Sequence, residues 1–267
     1  MKEYFEAFRE LKELYSDSII EVEMYDMPFS SFYDTFPVEM DEIEFYTFEA
    51  QQCGKDILEL CCGNGRITIP LAKKGFNVDG YDISIDMLKH LEEKANKLSK
   101  SVRKRINCSY GDIFNIEFKK KYDLIILPAT TICILADDEE KVIKLFEKIN
   151  SALKDDGSFV FDFRTDLINS NKTKTEMVAL TEKTNSYKSL ILYQEFNNYI
   201  AGRSIGNFYM QIENENGEFN KYITSTNKRI IDHQTIEKLA KESYFYISKK
   251  KIFDYKDYGL VYIVLKK

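Results

Sequence analysis

Glu59, the glycines Gly63 and Gly65, and Asp82 are of a type and spacing that suit holding a small polar ligand. Ile57-Leu58-Glu59-Leu60-Cys61-Cys62-Gly63-Asn64-Gly65 is an apolar run that ends in small residues and opens into the helical pattern Ile67, Ile69, Leu71, Ala72. A strand passing through a glycine turn into a helix aims backbone N–H groups and the positive helix end at a bound ligand. Glycine lets the backbone come close to it. Asp82 ends a second short segment about 20 residues beyond the turn, where an acidic side chain meets ribose hydroxyls in nucleotide folds. Thr68 stands where the third glycine of G-x-G-x-x-G would be, so a pyrophosphate loses support and a ligand without phosphates fits better.

Positioning such residues takes alternating strands and helices, and the chain shows that alternation from about residue 50 to Phe163. The pattern predicts right-handed βαβ crossovers and a mostly parallel sheet. Beyond it, Thr173 to Thr226 carry β-branched and aromatic alternation, as in Ser189-Leu190-Ile191-Leu192-Tyr193 and Asn207-Phe208-Tyr209-Met210-Gln211-Ile212. Breaks at Gly202 and Asn214-Glu215-Asn216-Gly217 predict antiparallel strands. A helix over Thr235 to Tyr244 and strands over Phe245 to Phe253 and Gly259 to Lys266 complete the sheet. At the front, Phe5, Phe8, Leu11 and Leu14 predict a helix from about Tyr4 to Tyr15. Glu21 to Pro37 is dense in aromatics and broken by Pro28 and Pro37, and a further helix opens at Asp41.

Glu59-x-Cys61-x-Gly63-x-Gly65 resembles the E/D-x-G-x-G-x-G turn of the class I S-adenosylmethionine-dependent methyltransferases, and Asp82-Ile83-Ser84-x-x-Met87-Leu88 resembles their second motif. Gly111-Asp112-Ile113, Tyr122 to Pro128, and Leu153-Lys154-x-x-Gly157-Ser158-Phe159-Val160 extend the resemblance in the same order over roughly residues 50 to 165. It implies an α/β fold with a doubly wound, seven-stranded, mostly parallel sheet whose last strand is antiparallel. The expected organisation is an N-terminal helical and aromatic lid over 1–48, a core over 49–165 and 228–267, and an inserted antiparallel β cap over 166–227. Such a cap resembles those of small-molecule N-methyltransferases.

The resemblance also implies roles. S-adenosyl-L-methionine is the expected cofactor and S-adenosyl-L-homocysteine the product. Gly63 and Gly65 would approach the cofactor, Glu59 would order the turn and the amino acid end, and Asp82 would accept both ribose hydroxyls. Ile83 and Met87 would flank the adenine, Asp112 and Ile113 would read its edge, and Leu127 would offer a carbonyl near the sulfonium. Arg66, in the first turn of a helix and poorly placed for its dipole, either meets the methionine carboxylate or is a solvated surface group. Cys61 replaces the first glycine of the turn, so its backbone must tolerate a side chain and positive φ is not expected there. Cys62 reads as packing rather than thiol chemistry.

The acceptor side is less legible. Tyr25, Tyr33 and Tyr46 either line a pocket, where an aromatic face favours a cationic methyl, or pack plainly. Thr130 and Thr131 either reach a substrate or cap the helix before Ile132. His233 is either a general base or a helix-cap neighbour, and Arg164 either binds an acidic substrate or forms a surface pair. The expected reaction is in-line methyl transfer to a small-molecule acceptor, an amine nitrogen first, with a peptide or protein side chain or a non-catalytic cofactor-binding module as alternatives. No metal is expected, since a deprotonated amine is already nucleophilic and His90 and His233 show no ligand spacing.

Thirty-eight basic and 44 acidic residues in 267 give a net charge of −6 without one long basic tract, which argues against a nucleic acid partner. The five cysteines form no C-x-x-C pair, and no apolar run approaches the roughly 18 residues of a membrane span. A soluble, cytoplasmic monomer or homodimer that does not meet a membrane is therefore expected.

Overall fold

The computed structural model describes residues 2–35, 40–165, 172–183, 188–214, 216–255 and 258–267. Phe36 and Pro37 of the aromatic stretch, the first residues of the expected insertion and Glu215 of its last turn lie outside them. The chain divides into two units, one of Met1–Thr35 with Ile168–Ile230, the other of Phe36–Leu167 with Ile231–Lys267.

In chain order, helix α1 (Glu6–Leu14), the short strand β1 (Ile19–Glu21) and a 3-10 turn (Phe29–Thr35) open the first unit. The second unit follows with α2 (Met40–Gln51), β2 (Asp56–Leu60), α3 (Thr68–Lys73), β3 (Asn77–Asp82), α4 (Ile85–Asn96), α5 (Lys100–Arg103), β4 (Ile106–Tyr110) and β5 (Tyr122–Leu127). It continues through α6 (Ile132–Leu135), α7 (Glu139–Ala152) and β6 (Leu153–Thr165). The chain then supplies the first unit with β7 (Lys172–Lys174), β8 (Val178–Lys183), β9 (Lys188–Asn198), β10 (Arg203–Glu213) and β11 (Phe219–Arg229). It returns to the second with α8 (His233–Glu242), β12 (Tyr246–Tyr255) and β13 (Tyr258–Lys266).

The second unit is built on a seven-stranded sheet in the order β12-β13-β6-β5-β2-β3-β4. Strands β2 to β6 pair in parallel, and β13 runs antiparallel to both β6 and β12. Period-2 alternation sends neighbouring side chains to opposite faces. Ile125 and Leu127 of β5 and Phe159, Phe161 and Phe163 of β6 join α7 and α8 through Phe146, Ile149 and Leu239. Leu124, Ile126 and Val160 face the other way, onto Phe45 and Tyr46 of α2 and Leu71 of α3. Burying both faces is what makes these strands read as near-continuous apolar runs. Ser84 caps α4 by accepting the Met87 N–H, and Asp232 caps α8 by accepting the Thr235 N–H.

The first unit holds a six-stranded sheet in which β1-β11-β10-β9-β7 are neighbours and β8 also pairs with β9. Its long strands are antiparallel, whereas β1 joins β11 in parallel, with Ile19 opposite Lys221. Helix α1 lays Phe8 against Tyr209 and Ile223, with Leu192 beside them. Among the described residues no helix is long and apolar enough to cross a membrane.

Candidate active site

The carboxyl ends of the parallel strands meet at one edge of the large sheet. The chain proceeds from β2 outward through β3 to β4 and then returns to the opposite side of β2 with β5. The crevice beyond β2 is therefore the topological switch point where open α/β sheets bind ligands. The glycine turn sits there. Gly63 and Gly65 take φ of 52° and 83°, a region glycine enters freely.

Cys61 corrects an expectation, because it adopts φ 58° despite its side chain. Hydrogen bonds impose that geometry: the next residue, Cys62, donates its N–H to Tyr81 O at 3.0 Å, and Gly65 N–H returns to Cys62 O at 3.0 Å. A left-handed residue other than glycine costs about 1–2 kcal/mol, a kind of strain that collects at functional sites. The Cys61 side chain packs against the core below, and burial pushes its thiol well above the ordinary range. The Cys62 thiol is also raised, by its hydrogen bond with Cys108 and then by burial, so neither is a ready nucleophile.

Two buried acidic side chains brace the turn. The Thr68 hydroxyl, in the first turn of α3, donates to Glu59 Oε2 at 2.6 Å, and burial pushes the Glu59 carboxyl up to about 8. Asp82 accepts the Gly63 N–H on Oδ2 at 2.7 Å and the Ser84 N–H on Oδ1 at 2.8 Å. Burial raises the Asp82 pKa, opposed by those two N–H bonds. A Cβ added at Gly63 would lie 3.2 Å from Met87 Cε and 4.0 Å from Asp82 Oδ2, so glycine keeps this notch clear.

Around the notch, Ile83 is 62% exposed while Met87 and Ile113 are buried. Tyr110, opposite Asp82 in the β3–β4 register, is equally exposed at 62%. Sequence reasoning passed over Tyr110, although an aromatic residue ending the Ile106–Tyr110 segment just before Gly111-Asp112 was the available signal. Asp112 turns into its own loop, accepting Phe114 N–H at 3.0 Å and Asn115 Nδ2 at 2.7 Å. Lys148 of α7 holds that loop from behind, donating to Ile113 O at 2.6 Å, Ile116 O at 2.9 Å and Phe114 O at 3.2 Å.

On the other side of the turn stands a set of partners that the motifs did not announce. Arg66 forms a two-pronged ion pair with buried Glu42 of α2. Glu42 Oε1 also accepts Ala129 N–H at 3.0 Å. Asp162, buried in β6, accepts Thr130 N–H at 2.7 Å and the hydroxyl of Tyr46 at 2.5 Å. The signal for Asp162 was its own charge inside Phe159-Val160-Phe161-Asp162-Phe163, since a carboxylate on a covered strand needs partners. Tyr46 is fully buried and packs beside Phe45 and Tyr262.

Leu127 ends β5 fully buried. Thr131 is the residue before α6 and donates its hydroxyl to Pro128 O at 2.6 Å. Arg164 is buried in β6 rather than on the surface. His233 begins α8 with its ring edge-on to Phe163 at 5.7 Å, and burial lowers its pKa. Tyr25 and Tyr33 belong to the other unit, their rings 6.0 Å apart. Among the described residues no group of three or more His, Cys, Asp or Glu is placed to hold a metal ion.

Residues 57–157, from the start of β2 into β6, match the family model described as a methyltransferase domain. The chain is 33% identical over 107 residues to the putative methyltransferase YqeM of Bacillus subtilis (strain 168), covering 40% of this chain and 41% of that protein. The chain spans less than half the length of the curated relatives it matches. Its fold is similar to the sugar N-methyltransferase KedS8 from Streptoalloteichus sp ATCC 53650, with a TM-score of 0.71 at 13% identity over 90% of this chain and 93% of that one. It is also similar to the glycopeptide N-methyltransferase MtfA complexed with (S)-adenosyl-L-methionine, with a TM-score of 0.63 at 16% identity over 98% of each chain. The fold is the Rossmann-like methyltransferase fold.

Proposed function

We propose that this protein is an S-adenosylmethionine-dependent methyltransferase that transfers a methyl group to the amine nitrogen of a small molecule. The observation that carries the cofactor reading is Asp82: a buried carboxylate at the end of β3, fixed by the Gly63 N–H and beside the notch that glycine keeps open. The residues suit the cofactor. Carboxylate acceptors suit ribose hydroxyls, and the exposed apolar faces of Ile83 and Tyr110 suit a flat adenine base. The methyltransferase domain over residues 57–157 and the fold similarity to KedS8 and MtfA support the same reading.

When bound, the cofactor supplies an electrophilic methyl on a sulfonium. The chain's task is to align it with a lone pair and exclude water. Gly63 and Gly65 let the backbone approach the cofactor, Asp82 orients the ribose, and Ile83, Met87, Asp112 and Ile113 surround the base. Asp112 would have to share a carboxylate already engaged by Phe114 and Asn115. Leu127 offers its carbonyl at the end of β5. On the acceptor side the proposal assigns Tyr25, Tyr33, Thr131 and His233. The lowered pKa of His233 leaves its ring neutral near pH 7 and able to take a proton. The β-rich unit is proposed to select the acceptor, in a cytoplasmic monomer or homodimer.

Isothermal titration with S-adenosylmethionine and S-adenosylhomocysteine, followed by methyl-transfer assays on amines, hydroxyl acceptors and peptides, tests this reading. Micromolar binding that is lost or weakened at least tenfold in Asp82→Ala is the expected result. No binding by the wild type overturns the enzyme reading, and transfer to peptides alone replaces the small-molecule acceptor with a side chain.

A further inference from the structure

The loop after β5 is strained in an unusual way. Ala129 and Thr130 are consecutive, neither is glycine, and they take φ of 64° and 53°. The left-handed region is unfavourable for any residue with a Cβ and most of all for a β-branched one. Each of the two N–H groups is taken by a different buried carboxylate, Ala129 by Glu42 and Thr130 by Asp162. Each carboxylate has a second anchor. Glu42 grips Arg66, directly after the glycine turn, and Asp162 accepts the Tyr46 hydroxyl. Glu42 and Tyr46 are i and i+4 on α2, which places them on one face of that helix.

We propose that Glu42 and Asp162 are positioning residues that lock the Pro128–Thr131 loop to one face of α2, and that Glu42 couples this loop to the glycine turn through Arg66. The two flanks of the cofactor crevice are thereby held as one piece. The inference rests on the methyltransferase reading only for what the crevice holds. Water would satisfy the loop N–H groups equally well in a relaxed backbone. Two buried carboxylates instead hold the strained form, at the end of a central strand beside the switch point. Strain kept in place by surrounding structure is a mark of functional geometry.

Glu42→Ala and Glu42→Gln test the coupling through two readouts, amide hydrogen exchange at Ala129 and affinity for S-adenosylhomocysteine by calorimetry. Glu42→Ala removes both arms. The Ala129 amide is expected to exchange at least tenfold faster, and the affinity to fall about tenfold. Glu42→Gln keeps an oxygen for Ala129 but sets an NH2 group against the Arg66 guanidinium. It is expected to restore Ala129 protection while the affinity stays weakened, a split that a merely structural residue would not produce. A folded Glu42→Ala protein with wild-type affinity and wild-type Ala129 exchange overturns the proposal. If Glu42→Ala does not fold, Arg66→Met takes its place, with faster Ala129 exchange and weaker binding expected and no change in either overturning it. Should the wild type bind neither ligand, the functional reading fails and the exchange data alone decide the coupling.

Discussion

The Thr68 hydroxyl lies 2.6 Å from Glu59 Oε2, both groups buried, so the end of β2 and the start of α3 are tied by one hydrogen bond across the glycine turn. Burial holds the Glu59 carboxyl protonated up to about pH 8, far above its ordinary value of 4.5. Between those values the folded state binds more protons than the unfolded one, so stability falls as pH rises from about 4.5 through 8. Asp82, raised in the same direction, adds to the trend. At about 1.36 kcal/mol per pKa unit the Glu59 contribution is on the order of 5 kcal/mol. Glu59→Gln should flatten this slope, read as urea midpoints of the cofactor-free protein at pH 5, 6.5 and 8.

Cys61 gives a backbone prediction. Cys61→Gly removes a left-handed Cβ but adds unfolded-state freedom, and should leave stability within about 1 kcal/mol of wild type. Cys61→Val places a branched side chain at φ 58° and should cost about 1–3 kcal/mol. Equal unfolding free energies for the two variants would contradict the assignment of strain to this residue.

Lys148 closes three carbonyls of the Asp112 loop. Lys148→Met leaves those carbonyls without their donor and should destabilise the fold by about 1–3 kcal/mol. It should also weaken cofactor binding severalfold, since the freed loop carries Asp112 and Ile113. Thermal unfolding and calorimetry read the two effects separately.

Tyr46→Phe removes the hydroxyl that Asp162 accepts at 2.5 Å inside the core. A hydrogen bond to a charged group contributes about 1.5–3 kcal/mol, and its loss should appear in urea unfolding. Exchange of the Thr130 amide should quicken as well, because Asp162 is then held by one anchor fewer.

Legibility followed sequence distance. The glycine turn, Asp82 and the alternation of strands and helices were readable because each is announced within a few residues by an apolar run, a turn and a helix start. Partners far apart in the chain were not: Tyr46 and Asp162 are 116 residues apart, and Glu42 and Ala129 are 87 apart. Nothing local in α2 marks Glu42 as different from Glu44. Cys61 misled for the opposite reason, since its side chain argued against a backbone angle that two turn hydrogen bonds impose. Helix α2 clusters with the large sheet although it follows the aromatic N-terminal stretch, because Phe45 and Tyr46 pack under β6 and β13.

The parallel pairing of β1 with β11 has a consequence for biosynthesis. Ile19 meets Lys221 and Glu21 meets Ile223, so strand partners are separated by about 200 residues of intervening chain. The β1 segment thus waits, without its β11 partner, while the parallel strands β2 to β6 are translated. It finds its partner only when the third long strand of the antiparallel sheet emerges. Nascent chains arrested before residue 219 should therefore keep their N-terminal segment open to proteases or chaperones, and deletion of that segment would leave the β11 edge bare for pairing with a second chain.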